Sequence, residues 1–280
     1  MITIEEFEKI MLEAGQAAGC DKVNPHLYHK YYAPHLCRYH GRPFRLLEIG
    51  IGGEDRETGG ASINMWKRIF PDAKIYAWDI YPKDELNDAQ VQTFIVDQGD
   101  RDAIEAFCRE YGPFDVIIDD GSHRRSDQLT SLFNLISWVV EGGLYVIEDY
   151  FTAYWPVYGG STLAVDFLDS PIRWIKRTVD MVNRENLLSL DVKHLLPDWG
   201  VSSLHVYPGV CVLQKKDEAV ECSIPNEEFR LNQIDHDEQM YGAYQELFLQ
   251  FMADPMKHLE ELKNLRIEKQ NPSRGTAEPE

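Results

Sequence analysis

Two short stretches carry the residues best suited to chemistry: Phe114-Asp-Val-Ile-Ile-Asp-Asp-Gly-Ser-His123 and Gly143-Leu-Tyr-Val-Ile-Glu-Asp149. Each is an apolar run with β-branched residues that ends in acids, Asp119 and Asp120 in the first and Glu148 and Asp149 in the second. The first run is bounded by Gly112-Pro113 and Gly121-Ser122 and reads as a fully buried strand emptying into a turn; the second repeats the design. Ligands of an open α/β sheet bind outside the carboxyl ends of its parallel strands. Adjacent strands lie about 4.8 Å apart, so neighbouring positions in the sheet would bring Asp120, Glu148 and Asp149 to one point. Three hard oxygen donors beside the imidazole of His123 suit a divalent cation with a general base next to it. Asp119 leaves the strand on the side opposite Asp120 and is expected to serve a cofactor or the core.

The elements that must position these residues follow from the rest of the pattern. Arg45-Leu-Leu-Glu-Ile-Gly-Ile-Gly-Gly53 reads as a strand and a glycine-rich turn, where Gly50 and Gly52 permit positive φ and close approach to a ligand. Ser62–Phe70 has helical spacing, with Ile63, Trp66, Ile69 and Phe70 on one face, and Lys74–Asp79 is a second strand ending in an acid. An acid at that place in a βαβ unit binds ribose hydroxyls. The third glycine of a dinucleotide fingerprint is missing, and Glu54-Asp55-Arg56-Glu57 follows the turn and would repel a pyrophosphate. A cationic cofactor with a ribose and no phosphate fits better, and S-adenosylmethionine meets both conditions. A third strand, Val91–Val96, delivers Asp97 and Gln98 to where an adenine edge would be read.

Further elements complete the frame. Thr3 and Glu6 form a capping box ahead of an N-terminal helix that ends near Gly15 or Gly19. Residues 20–43, rich in His and Tyr, read as a segment lining or lidding a pocket. Helices are expected over 101–111, 126–139 and 165–188, the last interrupted at Pro171, and a hairpin over 201–214 turns at Pro208-Gly209 to give the sheet an antiparallel edge. Tyr150–Gly160 is an aromatic loop broken by Pro156 and Gly159-Gly160, in which Tyr154 and Trp155 are expected to form a substrate platform rather than pack in the core. The boundaries that emerge are 1–44 for an N-terminal helix and lid segment, 45–216 for a catalytic domain, and 217–280 for an acidic extension. In the extension, helices are expected over 241–252 and 256–269, followed by a disordered tail.

The chain has 280 residues, 44% of them hydrophobic, and 28 basic against 47 acidic residues give a net charge of −19. That balance argues against nucleic acid or an anionic membrane as partner. Five cysteines without C-x-x-C spacing point to reduced thiols and a cytoplasmic setting. No signal peptide or membrane-spanning run is read.

Taken together, Leu-Glu-Ile-Gly-Ile-Gly-Gly53, Met65-Trp66-Lys67, Trp-Asp79-Ile-Tyr, Asp97-Gln98, Ile-Asp-Asp-Gly-Ser-His123 and Val-Ile-Glu-Asp149 with Tyr154-Trp155-Pro156 resemble the metal-dependent sugar O-methyltransferases of macrolide and polyketide tailoring. The resemblance runs from about residue 20 to residue 215 and does not extend to the separate N-terminal domain of the macrolide enzymes. It implies a class I S-adenosylmethionine-dependent methyltransferase fold, a Rossmann-like α/β sheet of seven strands. It also implies Mg²⁺ held by Asp120, Glu148 and Asp149, with His123 taking the proton of a sugar hydroxyl. The cofactor would be lined by Glu48, Gly50, Gly52, Ser62, Asp79, Asp97, Gln98 and Asp119. The implied partner is a small glycoside, and the implied assembly a homo-oligomer. Competing readings are a catechol-type O-methyltransferase acting on a phenol, a cephamycin-tailoring hydroxylase, and a methyltransferase fold that only binds.

Overall fold

The computed structural model describes residues 2–52, 59–163, 169–187 and 190–217, the side chains of 190–192 excepted. The acidic turn Glu54-Asp55-Arg56-Glu57, the first residues of the helix expected from 165, and the elements expected beyond 217 lie outside the described residues. The chain divides into two compact units, Met1–Leu187 with Asp191–Glu221, and Leu188–Leu190 with Cys222–Glu280. The first unit holds the sheet and the helices that cover it.

Helix α1 (Ile4–Ala18) starts at the Thr3–Glu6 capping box and stops at Gly19, whose φ of 66° closes the helix with a left-handed cap. Its buried face, Phe7, Met11 and Ala14, follows the helical period. The His/Tyr-rich segment folds into a short second helix, α2 (His29–Leu36). After it the chain alternates: β1 (Arg45–Ile49), α3 (Ala61–Ile69), β2 (Lys74–Asp79), β3 (Val91–Ile95), α4 (Arg101–Tyr111), β4 (Phe114–Asp119), α5 (Arg125–Leu135) and β5 (Val139–Glu148). Three 3₁₀ turns, a helix α6 (Pro171–Val182), a short α7 (Leu190–Leu195) and the hairpin β6 (Val201–Val206) and β7 (Val210–Lys215) complete it. Proline at the first turn of α6, after the Ser170 cap, starts that helix rather than interrupting it.

The seven strands lie in the order β3-β2-β1-β4-β5-β7-β6. Strands β1 to β5 are parallel, and β7 joins β5 antiparallel, with Glu148 opposite Val210. The order reverses between β1 and β4, which makes the crevice outside their carboxyl ends the switch point where doubly wound sheets bind ligands. Strand side chains alternate between two cores. Leu46, Val116, Ile118, Leu144 and Val146 pack with α1, α2 and α3 on one face. Leu47, Ile117, Tyr145 and Ile147 pack with α4, α5 and α6 on the other. Both faces are therefore covered, and the strands are the near-continuous apolar runs that this burial requires. Cys20, Cys37, Cys108 and Cys211 are free thiols. Among the described residues no helix is long and apolar enough to cross a membrane.

Candidate metal centre and cofactor crevice

Strand β4 pairs with β5 in parallel so that Asp119 stands opposite Ile147. The acids that follow these two strands consequently meet. Ligand atoms of Asp120, His123 and Asp149 lie within 4.8 Å of one another. The His123 Nε2 is 3.9 Å from Asp120 Oδ1 and 3.7 Å from Asp149 Oδ2. The three side chains are about one-fifth exposed, His123 at 23%, Asp120 at 20% and Asp149 at 18%.

The backbone is bent to achieve this. Three non-glycine residues of the described chain have positive φ: Leu27 at 58°, His123 at 55° and Asp149 at 50°. Two carry these ligand atoms and the third precedes Tyr28, which touches Asp149. Such conformations cost of order 1–3 kcal/mol each and concentrate where geometry is functionally constrained. The Thr152 hydroxyl, 2.8 Å from the His123 carbonyl and 2.9 Å from that of Asp149, ties the two bends together. Glycine is needed at Gly50, φ 77°, because a Cβ there would strike the Asp120 carbonyl and the Gly121 Cα. The close approach at this position is thus between β1 and the Asp120 turn.

Behind the acids lies a lysine that the sequence pattern does not reveal. Lys22 is 1% exposed, and its Nζ bonds Asp120 Oδ2 and sits 2.8 Å from Glu148 Oε1 and 3.5 Å from Glu48 Oε1. Tyr32 donates its hydroxyl to the same Glu148 oxygen, and Tyr28 donates to Asp149 Oδ1. The segment expected to line or lid a pocket therefore braces the acids from the protein side. Burial works against the Lys22 ammonium, but Asp120, Glu148 and Glu48 together hold its pKa well above that of an ordinary lysine. One ammonium cannot neutralise this many carboxylates. Burial pushes the Asp120 carboxyl up to about 7 against the pull of Lys22, and burial together with Asp120 pushes Glu148 up to about 7. A site with surplus buried negative charge, hard oxygen donors and an imidazole fits a divalent cation.

The residues expected at the cofactor fall into two groups. Asp79, at the end of β2, accepts from Ile51 N at 3.4 Å and from Tyr81 N at 2.9 Å, which fixes its carboxylate beside the Gly50-Ile51-Gly52 turn. Asp97 is exposed, with Oδ1 accepting from Gly99 N at 2.8 Å. It borders an open cavity of about 530 Å³ whose lining also includes Arg101, Arg124 and Asp127 and none of Asp120, His123 or Asp149. The second group points inward. Gln98, 5% exposed, donates to Asp119 at 2.5 Å and to Ser131 at 3.0 Å while accepting from Ser122 N at 2.9 Å. Asp119, fully buried, also takes the hydroxyls of Ser131 and Tyr145. Glu48 holds Ser62 Oγ at 2.9 Å and Trp66 Nε1 at 3.1 Å. The side chains of Gln98, Asp119, Glu48 and Ser62 thus spend these contacts on the frame. Tyr154 and Trp155 are 40% and 47% exposed. Phe151 and Tyr158 flank Trp155 at 5.2 and 6.1 Å, and Tyr158 reaches the His123 ring edge at 6.4 Å. Tyr158 thereby links Trp155 to the imidazole, a contact that sequence reading missed.

No family model matches the chain. Among characterised proteins, it is 37% identical over 192 residues to mycinamicin VI 2''-O-methyltransferase of Micromonospora griseorubida, covering 68% of this chain and 48% of that protein. It is 36% identical over 194 residues to 8-demethyl-8-(2-methoxy-alpha-L-rhamnosyl)-tetracenomycin-C 3'-O-methyltransferase of Streptomyces olivaceus, covering 68% of this chain and 49% of that one. The chain spans about half the length of these relatives. Among solved structures, MycE methyltransferase of the mycinamycin pathway, with Mg and SAH, superposes with a TM-score of 0.71 at 32% identity over 80% of this chain and 58% of its own. A second MycE structure, with Mg, SAH and mycinamycin VI, gives 0.67 at 33% identity over 75% of this chain and 56% of its own. The chain thus resembles in sequence the sugar O-methyltransferases that tailor macrolides and tetracenomycins, and in its fold the mycinamycin enzyme MycE.

Proposed function

We propose that this protein is an S-adenosylmethionine-dependent O-methyltransferase that acts, with Mg²⁺, on a hydroxyl of a deoxysugar carried by a glycosylated natural product. The observation that supports it most is the meeting of Asp120, His123 and Asp149 within 4.8 Å at the carboxyl ends of β4 and β5. The likeness to enzymes of that activity supports the substrate class.

In this reading the region 45–216 is the catalytic domain. Asp120 and Asp149 would hold the cation, and Glu148, which meets Tyr32 and Lys22 through Oε1, would stand behind them. A Mg²⁺ bound there lowers the pKa of a hydroxyl oxygen it contacts and can orient a vicinal diol. Asp79 accepts from the ribose hydroxyls of the cofactor, Asp97 stands at the adenine end, and the Gly50–Gly52 turn lets the backbone approach. As the acceptor oxygen takes the methyl group and the methyl–sulfur bond breaks, His123 takes the hydroxyl proton, which leaves a methyl ether and S-adenosylhomocysteine. Trp155 and Tyr158 offer ring faces to the sugar or to its aglycone. The surplus negative charge of the crevice also suits a sulfonium.

A second reading of His123 has an observation in its favour. Its Nε2 lies as close to the two acids as a fellow ligand would, so the imidazole can belong to the cation rather than to the acceptor. The test is methyl transfer from S-adenosylmethionine to a panel of rhamnosides and macrolide glycosides, read by mass spectrometry with Mg²⁺ and with excess EDTA. A methylated glycoside formed only with the cation supports the proposal. Turnover that survives EDTA removes the metal, and methylation confined to catechols moves the substrate to phenols.

A further inference from the structure

The acids of the cation site each have one oxygen already taken, and the donors come from one stretch of chain. Lys22 bonds Asp120 Oδ2, which leaves Oδ1 on the side of His123 Nε2 at 3.9 Å. Tyr28 bonds Asp149 Oδ1, which leaves Oδ2 facing the same nitrogen at 3.7 Å. Tyr32 and Lys22 share Glu148 Oε1. A carboxylate with both oxygens free can rotate and offer a cation either or both; pinning one oxygen fixes which one is offered and in what direction.

The donors are themselves held in place. Lys22 and Tyr28 are 1% and 4% exposed. The Lys22 carbonyl accepts from His29 N at 3.3 Å, and Val23 packs so tightly on Gly15 that a Cβ there would collide with it. Tyr28 stacks on His26 at 5.0 Å, and its hydroxyl lies against Gly209, where a Cβ would strike it. Leu27, with φ 58°, sets the backbone direction from which Tyr28 enters. A neutral phenol at Asp149 fixes one oxygen without subtracting from the charge the acid presents to a cation, whereas Lys22 offsets part of the charge of the buried Glu48 and Glu148 behind it.

We propose that Tyr28 and Lys22 are positioning residues of the cation site, each turning one acid so that its free oxygen faces the space in front of His123. The inference rests on the reading of Asp120 and Asp149 as cation ligands. The segment 20–36 is then part of the metal centre without contributing a ligand to it. Loss of such an outer partner typically weakens metal affinity by about 10–100-fold.

Binding of Mn²⁺ to the full chain, without cofactor or acceptor, tests this by loss of the free-ion paramagnetic resonance signal. Tyr28→Phe should weaken Mn²⁺ by about tenfold or more with the circular dichroism spectrum retained. Tyr31→Phe, in the helix that Tyr28 precedes and stacked on Tyr207 at 4.8 Å, should bind as wild type does. Lys22→Met strips the cation from buried acids and can fail to fold, so Tyr28→Phe carries the test. A merely structural Tyr28 would lower the melting temperature and leave Mn²⁺ affinity alone, and that result overturns the inference. If Asp149→Asn abolishes binding while Tyr28→Phe does not weaken it, the cation site stands and this inference falls. If the wild-type protein shows no saturable Mn²⁺ binding, both fall.

Discussion

Asp119 and Asp120 leave β4 on opposite faces of the sheet, and each meets a different kind of partner. Asp119 enters the core beside α5, where Gln98, Ser131 and Tyr145 supply neutral donors to its two oxygens. Asp120 enters the crevice, where Lys22 takes one oxygen and the other is left toward His123. The first acid is satisfied by hydrogen bonds and closed to solvent. The second sits in surplus negative charge and remains one-fifth exposed. Buried polar groups that are fully partnered hold a structure together, and those left short of a counter-charge beside a crevice are where a ligand is wanted.

The largest effect that would sharpen this contrast is on chemistry. His123→Ala should lower turnover by about two to four decades, with S-adenosylmethionine affinity kept and Mn²⁺ still bound. Loss of Mn²⁺ binding in that variant would make the imidazole a ligand. Near-normal turnover would remove His123 from the reaction.

A middle-sized effect tests the other side of the strand. Gln98→Leu takes a donor from Asp119 and an acceptor from Ser122 N. Stability should fall by about 2–3 kcal/mol in urea titration, the cost of leaving buried groups unpaired, while cofactor affinity of the folded protein changes little. Unchanged stability with weakened cofactor binding would instead make Gln98 the reader of the adenine edge.

The last effect is graded and follows pH. Burial raises the Asp119 carboxyl to about 6, and it raises Asp120 and Glu148 to about 7. Between roughly pH 4 and 7 the unfolded chain has released these protons and the folded chain keeps them, so the folded state binds more protons than the unfolded state. Metal-free protein should therefore lose stability as pH rises across that interval and hold a plateau above it. Mg²⁺ at the upper end of the interval should raise the midpoint, because it supplies the counter-charge the crevice lacks. A denaturation midpoint that rises with pH across the same interval would reverse the sign and mean that the folded state favours these carboxyls in their ionised form.

The strands were legible because burial on both faces writes them as apolar runs, and the hairpin because Pro208-Gly209 interrupts two such runs. β5 begins earlier than its apolar run, at Val139, since Glu141-Gly142-Gly143 belongs to an irregular stretch of pairing beside Phe114. Asp120, His123 and Asp149 could be read because each follows its strand within a few residues. Lys22, Tyr28 and Tyr32 could not, since their partners lie 98, 121 and 116 residues away and no local period records such a contact. The polarity of residues 20–43 was the available signal, and it fits a brace as well as a lid. Gln98, Ser62 and Glu48 show the converse difficulty: a polar residue beside a strand end or at a helix start can face a ligand or a buried neighbour, and spacing alone does not tell which.

The long separations between Lys22, Tyr28 and Tyr32 and their acids also bear on how the molecule assembles. Contacts between distant parts of a chain incur loop-closure entropy before they are rewarded. A nascent sheet can align β4 and β5 while the first helices are still undocked, and at that stage Asp120, Glu148 and Asp149 face one another without the ammonium and phenols that restrain them. Docking of residues 20–36 would then bring Lys22, Tyr28 and Tyr32 onto the acids, so the restraint on the crevice depends on contacts that span 98 to 121 residues of chain.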